Sequence, residues 1–440
     1  MSIQASSPVE LDRRRIAALT ARERAELDRR TPRSGEMLRR ARRVLPGGVA
    51  SSFQMRTPWP VYVERGEGAR VWDLDGNEYV DLHNGFSAMV QGHAHPAIGA
   101  ALASRHAHGT HFAATAQDTV AVAEELVRRF GLPLWRFTNS GSESNMAAVR
   151  IARGHTGRDG VLKIFGSYNG HNDVAMAGLH DTGVPLSVGR DVHTVQFNDA
   201  EGLERSIAAR PPACLIMEAA MTNVGLVPPG TGYLEGVREA TRRHGVVLIF
   251  DEVKTGLTIA PGGATERFGV QPDMVTLAKA LGGGLPAGAI GMTAELAGEI
   301  EDGRVPQFGT YNGNPLSMAA ARASLFDVLT PEAYERLELL GGRMAAGCES
   351  ALAERRLDAR VTGLGGKGSV SYGRDPVVDY ASFQRSHDPE LAELVWTFAM
   401  NRGVYTTPGR QQEWNLSVAH DEAEVDRYVA VFAELMAELS

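Results

Sequence analysis

The chain has 440 residues, of which 43% are hydrophobic and 22% charged, and its formal net charge is -8. This composition excludes a disordered or fibrous protein, and the acidic balance argues against nucleic-acid binding, which relies on an excess of Lys and Arg. A chain of this length exceeds the size at which one hydrophobic core keeps growing, so we expect one large and one small domain.

The cysteines and the N-terminal residues bear on the cellular compartment. Two cysteines cannot make a disulfide framework, and Cys214 lies in an apolar run that is typical of a buried structural thiol. Residues 1–10 lack the basic start and apolar core of a signal peptide, and no apolar stretch approaches the roughly 18 residues of a membrane span. We therefore expect a cytoplasmic protein with no membrane partner.

The arm at residues 11–43 is rich in Arg, Glu and Ala. Pro32 interrupts its helical spacing, which predicts two short helices. Acidic residues alternate with the arginines, so we interpret the arm as a solvated face and not as a nucleic-acid surface. Three short β-type runs follow between residues 61 and 82, and the strong turn signal Asp75-Gly76-Asn77 between two of them favours an antiparallel meander.

Residues 100–320 alternate between apolar strands and amphipathic stretches. This pattern predicts a mostly parallel sheet that is covered by helices on both faces. Ligands bind such sheets at the carboxyl ends of the strands. The predicted strands include residues 134–138, 161–165, 213–217 and 246–250.

The last part of the chain, from about residue 331, begins with helical periodicity. Two β-type runs follow at residues 368–372 and 415–418, and apolar residues at three- and four-residue spacing predict a helix over 422–439. These elements indicate a smaller α+β domain. We thus expect an α/β protein with an N-terminal arm and joining segment at 1–65, a large domain at 66–325 and a small domain at 326–440.

Lys279 lies between an apolar stretch and the glycine run at 282–284, downstream of an apolar strand that ends in Asp251. A desolvated lysine has a lowered pKa, and its neutral amine attacks aldehydes. A carboxylate such as Asp251 can keep a pyridine nitrogen protonated. The pair predicts a pyridoxal phosphate site, with an ordinary solvated lysine as the alternative.

Small-residue turns after other strands supply further candidate contacts. Residues 138–145 form a turn that leads into a helix, whose backbone N–H groups and dipole can hold a phosphate, although a simple N-cap is the alternative. Tyr168 follows a strand and can stack on a flat ring, although such a residue is commonly a packing residue. Val253 shares a face with Asp251 and can pack under the same ring.

As a set, these motifs resemble the class III, fold-type I pyridoxal phosphate aminotransferases. Within that family the chain is most similar to the branch that contains glutamate-1-semialdehyde aminomutases and related amine or β-amino-acid transaminases. The similarity extends from about residue 46 to the C-terminus. It is carried by Pro46-Gly47-Gly48-Val49, Gly92-His93-Ala94-His95-Pro96, Asn139-Ser140-Gly141-Ser142-Glu143, Asp251-Glu252-Val253, Leu277-Ala278-Lys279 and Gly309-Thr310-Tyr311-Asn312-Gly313-Asn314-Pro315.

The resemblance implies a role for each matching residue. Lys279 forms the Schiff base and shuttles the proton in a ping-pong reaction between an amino donor and a carbonyl acceptor, while Asp251 pairs with the pyridinium. The sequence departs from the family at Ala219, where Pro is usual, and at Asn169, where His is common. The remaining implied contacts are Tyr168 and Val253 on the ring, Ser140, Gly141 and Ser142 on the phosphate, Glu218 and Asn223 near the ring, and Thr310 on the phosphate of the partner subunit in a homodimer.

Gln54 decides between the two branches. In the aminomutases an arginine that holds the substrate carboxylate follows the Pro-Gly-Gly-Val motif at this position, and β-amino-acid transaminases also have an arginine in this stretch. A neutral amide cannot replace a bidentate guanidinium, so we favour a transaminase and keep the aminomutase as the alternative. The candidate substrate contacts are Arg56 or Arg410 for an acceptor keto acid, and Phe53, Met55, Trp59, Phe86 and Trp414 for an apolar wall.

Three histidines, His106, His108 and His111, have a spacing that suggests a metal-binding module. No cysteine or carboxylate cluster accompanies them in the sequence, and such imidazoles are more often surface or packing residues. We therefore expect no metal.

Overall fold

The computed structural model describes residues 11–179 and 182–440. The first ten residues, on which the expectation about a signal peptide rests, lie outside the described part. Two helices form the arm, as predicted: Arg13–Arg30 ends at Thr31, and Pro32–Ala41 begins with the proline, whose missing N–H costs no hydrogen bond there. The first helix packs against Pro389–Asn401, so the arm is attached to the C-terminal part of the chain.

In the described part of the chain, seven strands form the central sheet, in the order β4-β10-β9-β8-β7-β5-β6. The neighbours from β9 to β6 are parallel, and β10 runs antiparallel to both β9 and β4. The predicted mostly parallel sheet is confirmed. The strands are β4 (Leu134–Thr138), β5 (Val161–Ile164), β6 (Val192–Val195), β7 (Cys214–Met217), β8 (Val247–Asp251), β9 (Met274–Leu277) and β10 (Gly288–Met292).

Helices cover both faces of this sheet because successive side chains of a strand point to opposite sides. In β8, Val247 and Ile249 pack in one core with the helix Gly141–Thr156, while Leu248 and Phe250 pack in the other. The α-helices of this part are Pro96–His106, Gln117–Phe130, Gly141–Thr156, Asp173–Met176, Leu186–Gly189, Ala200–Ala209, Tyr233–Arg243, Gly263–Phe268, Ala294–Glu301 and Pro315–Ala323.

Within residues 11–179 and 182–440, two smaller sheets and four further helices complete the fold. One sheet has the order β1-β2-β3-β13, with an antiparallel β1-β2-β3 meander and β13 parallel to β3; the other is antiparallel, with the order β11-β12-β14. Their strands are β1 (Val63–Glu67), β2 (Arg70–Asp73), β3 (Glu78–Asp81), β11 (Ala359–Leu364), β12 (Lys367–Tyr372), β13 (Val404–Tyr405) and β14 (Glu413–Asn415). The helices are Pro331–Arg355, Tyr380–Ser386, Pro389–Asn401 and Glu422–Leu439.

The structure confirms the meander and the closing helix, and it corrects the end of one predicted strand. The meander pairs with β13 and not with the seven-stranded sheet. The division into domains at residues 66 and 326 stays a prediction. The strand predicted at 415–418 ends at Asn415, because Ser417 donates its backbone N–H to His420 Nδ1 at 3.0 Å and the chain turns there.

None of the helices within 11–179 and 182–440 combines the length and the apolar character needed to cross a membrane.

Candidate active site

A cavity of about 350 Å³ lies at the carboxyl ends of the parallel strands. Asp251 is the last residue of β8, Glu218 follows β7, and Lys279 comes two residues after β9. This is the edge at which a parallel sheet binds its ligands. The predicted residues that line the cavity are Ser140, Gly141, Ser142, Tyr168, Glu218, Asn223, Asp251, Val253 and Lys279.

The surroundings of Lys279 lower its pKa, which is the direction of shift that the sequence predicts. Desolvation and then the neighbouring Lys254 ammonium lower the pKa of Lys279 to about 8, against the opposing carboxylates of Asp251 and Glu218. Its backbone is left-handed, with a φ of 46°. Such a conformation is strained for a residue with a Cβ and is found at functional sites, where the surrounding structure enforces it.

Asp251 is buried and held by three donors. Its Oδ2 accepts hydrogen bonds from Asn145 Nδ2 at 2.7 Å and Asn169 Nδ2 at 2.8 Å, and its Oδ1 accepts one from the Val253 N–H at 3.1 Å. Burial raises the pKa of the carboxyl, and these donors act against that shift. The sequence shows Asn169 only as a departure from the family's His, and nothing in it identifies Asn145.

The part of the cavity at the N-terminus of the helix Gly141–Thr156 can bind an anion. Ser140 caps the helix Gly141–Thr156, and its Oγ accepts from the Glu143 N–H at 3.2 Å. Gly141 and Ser142 are the first two residues of this helix, where backbone N–H groups have no intrahelical partner and attract negative charge. A Cβ on Gly141 would lie 2.7 Å from Cγ2 of Val253, so a side chain there would displace the residue that the ring is expected to contact.

Glu218 and Asn223 form a fixed pair on one wall. Glu218 Oε1 accepts from Asn223 Nδ2 at 2.9 Å, while its Oε2 accepts from the Thr222 N–H at 2.9 Å and from the Thr222 hydroxyl. Burial raises the pKa of Glu218, and the charge of Asp251 adds to the shift. The cavity thus offers an anion cradle, a buried carboxylate and an amine, which fit the phosphate, ring nitrogen and aldehyde of pyridoxal phosphate.

Lys254 also lines this cavity, and the sequence did not identify it. Its Nζ donates to the Thr222 carbonyl, to Gln411 Oε1 at 3.0 Å and to Glu413 Oε1, so it forms a buried ion pair between the turn after β8 and strand β14. The alternation of side-chain directions along a strand predicts that Val253 shares a face with Asp251. Because the strand ends at Asp251, this alternation does not predict the direction of the Lys254 side chain.

The predicted substrate residues divide into two groups. Phe53, Gln54, Arg56 and Phe86 line an adjoining cavity of about 440 Å³. The Phe53 ring lies 5.5 Å from that of Phe86 and 5.7 Å, edge-on, from that of Tyr168, so this cavity meets the first one across aromatic rings. Phe86 belongs to the turn Asn84–Ser87, in which all four residues have positive φ.

Gln54 makes local hydrogen bonds to the backbone. Its Oε1 accepts the backbone N–H groups of Ala50 and Ser51, both at 3.1 Å, and completes a capping box with Ser51. The signal for this arrangement was present in the sequence, because Ser followed three residues later by Gln is the capping-box pattern.

The second group lies elsewhere. Trp414 is only 1% exposed and packs 6.2 Å from the ring of Tyr428 in the C-terminal core, which corrects the expectation that it forms a substrate wall. Arg410 lines a separate cavity of about 140 Å³, so the structure does not bring it to the predicted cofactor residues. Thr310 is exposed in a loop that contacts the site through Asn312 Oδ1, which accepts from Asn139 Nδ2 at 3.1 Å.

The three histidines form no metal centre in the described part of the chain, which contains no group of three or more potential His, Cys, Asp or Glu ligands. His108 Nδ1 is bonded to the Ser104 carbonyl at 2.9 Å, and the His111 ring packs 4.7 Å from that of Tyr311.

Comparison with known proteins gives concordant matches. The family described as Aminotransferase class-III matches residues 52–406. Glutamate-1-semialdehyde 2,1-aminomutase 2 of Brevibacillus brevis is 36% identical over 423 residues, which cover 92% of this chain and 98% of that protein. A glutamate-1-semialdehyde-aminomutase from Pseudomonas aeruginosa PAO1, solved in complex with PMP, has a TM-score of 0.93 and 31% identity, with 98% of this chain and 100% of that chain covered. An omega-transaminase from Sphaerobacter thermophilus has a TM-score of 0.87 and 34% identity, with 92% and 97% covered.

Proposed function

Because this chain belongs to the class III aminotransferases, we propose that it moves an amino group from an amine or amino acid to a keto acid or aldehyde by a ping-pong mechanism. The chain has the fold-type I architecture, its cofactor is pyridoxal phosphate, and it is an enzyme of the transaminase or aminomutase type. When bound, the cofactor supplies an electron sink for the substrate carbon.

Gln54 carries the choice of a transaminase. The aminomutase branch is expected to have a guanidinium at this position, whereas here a neutral amide is occupied by the N–H groups of Ala50 and Ser51. Among the described residues that line the cofactor cavity, the cations are Lys254 and Lys279, and Lys254 is already paired with Glu413. The site therefore lacks the carboxylate anchor of a mutase at its expected place.

The residues of the cavity have separate roles in the proposed reaction. Lys279, whose pKa is lowered to about 8, takes a proton from the substrate Cα and returns one in the second half-reaction. Asp251 keeps a proton on the ring nitrogen, with Asn145 and Asn169 fixing its carboxylate. The further proposed contacts are Tyr168 and Val253 on the two faces of the ring, Ser140, Gly141 and Ser142 at the phosphate, and Glu218 and Asn223 beside the ring oxygen.

A homodimer is part of the proposal. Thr310 is exposed, and its neighbours Phe308 and Tyr311 are 89% and 60% exposed, which is unusual for large rings and typical of an interaction surface. We propose that this loop reaches the phosphate site of the partner subunit. Location in the cytoplasm stays a prediction from the sequence.

A glutamate-1-semialdehyde aminomutase is the second candidate, because the similar proteins from Brevibacillus brevis and Pseudomonas aeruginosa PAO1 carry that name. The two candidates differ in one requirement. An aminomutase isomerises a single substrate, whereas a transaminase needs an acceptor and leaves a carbonyl co-product.

The deciding experiment mixes the holoenzyme with amines and amino acids one at a time and follows the absorption of the bound cofactor. We expect simple aryl or alkyl amines to abolish the absorption band of the cofactor in its Lys279-bound form. An added keto acid should restore this band. A response confined to diamino or semialdehyde C5 acids would contradict the transaminase. Lys279→Ala is the control: it should retain the cofactor and turn over negligibly.

A further inference from the structure

We propose that Lys254 is a positioning residue, which fixes the turn at residues 218–223 so that Asn223 faces the ring oxygen of the cofactor. The inference rests on the proposed contact between Asn223 and that oxygen, and it adds a residue that lies outside the sequence motifs. Lys254 lines the cofactor cavity and is only 4% exposed, yet none of the proposed reaction steps uses it.

The ammonium of Lys254 has three acceptors for its three hydrogen atoms. Its Nζ donates to the Thr222 carbonyl, to Glu413 Oε1 and to Gln411 Oε1 at 3.0 Å. An ammonium has three donors and no acceptor, so these bonds use its full capacity and fix its position. Lys254 is therefore held by the protein itself and is not left to bind a substrate anion.

The ion pair of Lys254 and Glu413 does not by itself explain why a lysine is buried here. Apolar side chains in place of a buried ion pair are often neutral or stabilising, so such a pair is weak evidence for a role in stability. An apolar side chain would, however, supply no donor to the Thr222 carbonyl. Thr222 is completely buried, and a buried carbonyl that loses its donor is costly. Lys254 thus fixes the backbone at Thr222.

Thr222 transmits this position to the residues that line the cavity. Its N–H donates to Glu218 Oε2 at 2.9 Å, and its hydroxyl donates to the same oxygen. Asn223 Nδ2 donates to Glu218 Oε1 at 2.9 Å. Because a carboxylate accepts hydrogen bonds, Glu218 determines which side of the Asn223 amide carries the nitrogen. The second N–H of that nitrogen remains for an acceptor in the cavity, which Glu218 and Asn223 both line.

Lys254 also acts on the site through its charge, which lowers the pKa of Lys279. The two effects can be separated, because the charge acts whether or not Asn223 is present, whereas positioning requires Asn223. The paired change Lys254→Met/Glu413→Gln removes one charge of each sign. The net charge of the site is then unchanged, while the donor to the Thr222 carbonyl is lost.

The experiment follows the absorption band of the Lys279-bound cofactor in the holoenzyme as a function of pH. This band reports the proton on the nitrogen that joins Lys279 to the cofactor, and a donor to the adjacent ring oxygen makes that nitrogen less basic. The paired change should therefore raise the pKa read from this band by about 1, the size of one hydrogen bond to a charged oxygen. Asn223→Ala should raise it by a similar amount.

The deciding comparison is the triple variant, Lys254→Met/Glu413→Gln/Asn223→Ala. If Lys254 acts through Asn223, the paired change should alter this pKa by less than about 0.3 once Asn223 is absent. Lys367→Met is the matched control, because Lys367 is also a buried lysine and its Nζ donates to Ser87 Oγ and Asn415 Oδ1, outside this turn. Its effect on the pKa should be the same with and without Asn223.

The experiment distinguishes two failures. An unchanged pKa in Asn223→Ala would overturn the contact between Asn223 and the ring oxygen, and the inference with it. If Asn223→Ala raises the pKa but the paired change has no effect, or has the same effect with and without Asn223, the contact stands and the role of Lys254 is overturned. Retained absorption of the bound cofactor shows that each variant is folded.

Discussion

Replacing Lys254 with Met tests the buried ion pair that joins the cofactor cavity to strand β14. Lys254 is 4% exposed and Glu413 is 1% exposed, and Glu413 Oε2 has no hydrogen-bond partner in the described residues. Removing one partner of such a pair leaves a buried charge that no solvent compensates. We expect Lys254→Met to lower the free energy of unfolding by about 3–5 kcal/mol.

The double variant Lys254→Met/Glu413→Gln separates charge from packing. Replacing both members of a buried ion pair by neutral groups is often close to neutral, so the double variant should regain most of the stability that the single variant loses. Urea unfolding of the holoenzyme, followed by fluorescence and by circular dichroism, measures the free energy of unfolding of each variant. The comparison holds when the two probes give the same transition, because unfolding is then two-state. A single variant within about 1 kcal/mol of wild type, or a double variant no more stable than the single one, would refute this reasoning.

Three further predictions concern the cofactor residues. Capture of pyridoxal phosphate by the apoenzyme should accelerate as the pH rises toward about 8, the lowered pKa of Lys279, and should level off above that pH. In Lys254→Met the rise should move to higher pH, because the variant removes a positive charge that lowers the pKa of Lys279. An unchanged pH profile would contradict this influence of the Lys254 ammonium. Asn169→Ala should weaken cofactor binding by about tenfold, because Asp251 Oδ2 loses a donor 2.8 Å away; equilibrium dialysis measures this, and Asn172→Ala is a control outside the cavity lining. Gly141→Ala should release the cofactor, because the added Cβ would lie 2.7 Å from Val253 Cγ2. The double variant Gly141→Ala/Val253→Ala should bind the cofactor again. Equal loss of cofactor binding in both variants would show that the steric contact is not the cause.

Lys279 and Asp251 could be predicted because each lies at the carboxyl end of a strand, and the carboxyl ends of parallel strands meet at one edge of the sheet. Lys254 could not, because its partner Glu413 is 159 residues away and belongs to another sheet. Asn145 acts on Asp251 from a helix interior, where an Asn gives no sequence signal of its own.

The substrate residues show a second limit. The sequence groups Trp414 with the substrate wall because the side chain is large and apolar. The same property favours a core residue, and its burial against Tyr428 distinguishes the two. The prediction for Gln54 rests on the positive charge that this residue lacks, whereas its short-range capping contacts determine the direction of its side chain. Arg56 lies near Trp396 and Tyr405, which are far from it in the sequence, so no local pattern predicts these surroundings.

The stoichiometry of a single half-reaction tests the central claim most directly. Holoenzyme is mixed with an excess of one aryl or alkyl amine, without any acceptor, and the carbonyl product is counted per subunit. A transaminase with Lys279 as its proton carrier should release about one equivalent and stop until a keto acid is added, because the amino group stays on the cofactor. Continuous conversion of a single substrate without an acceptor, or no product from any amine, would contradict this account.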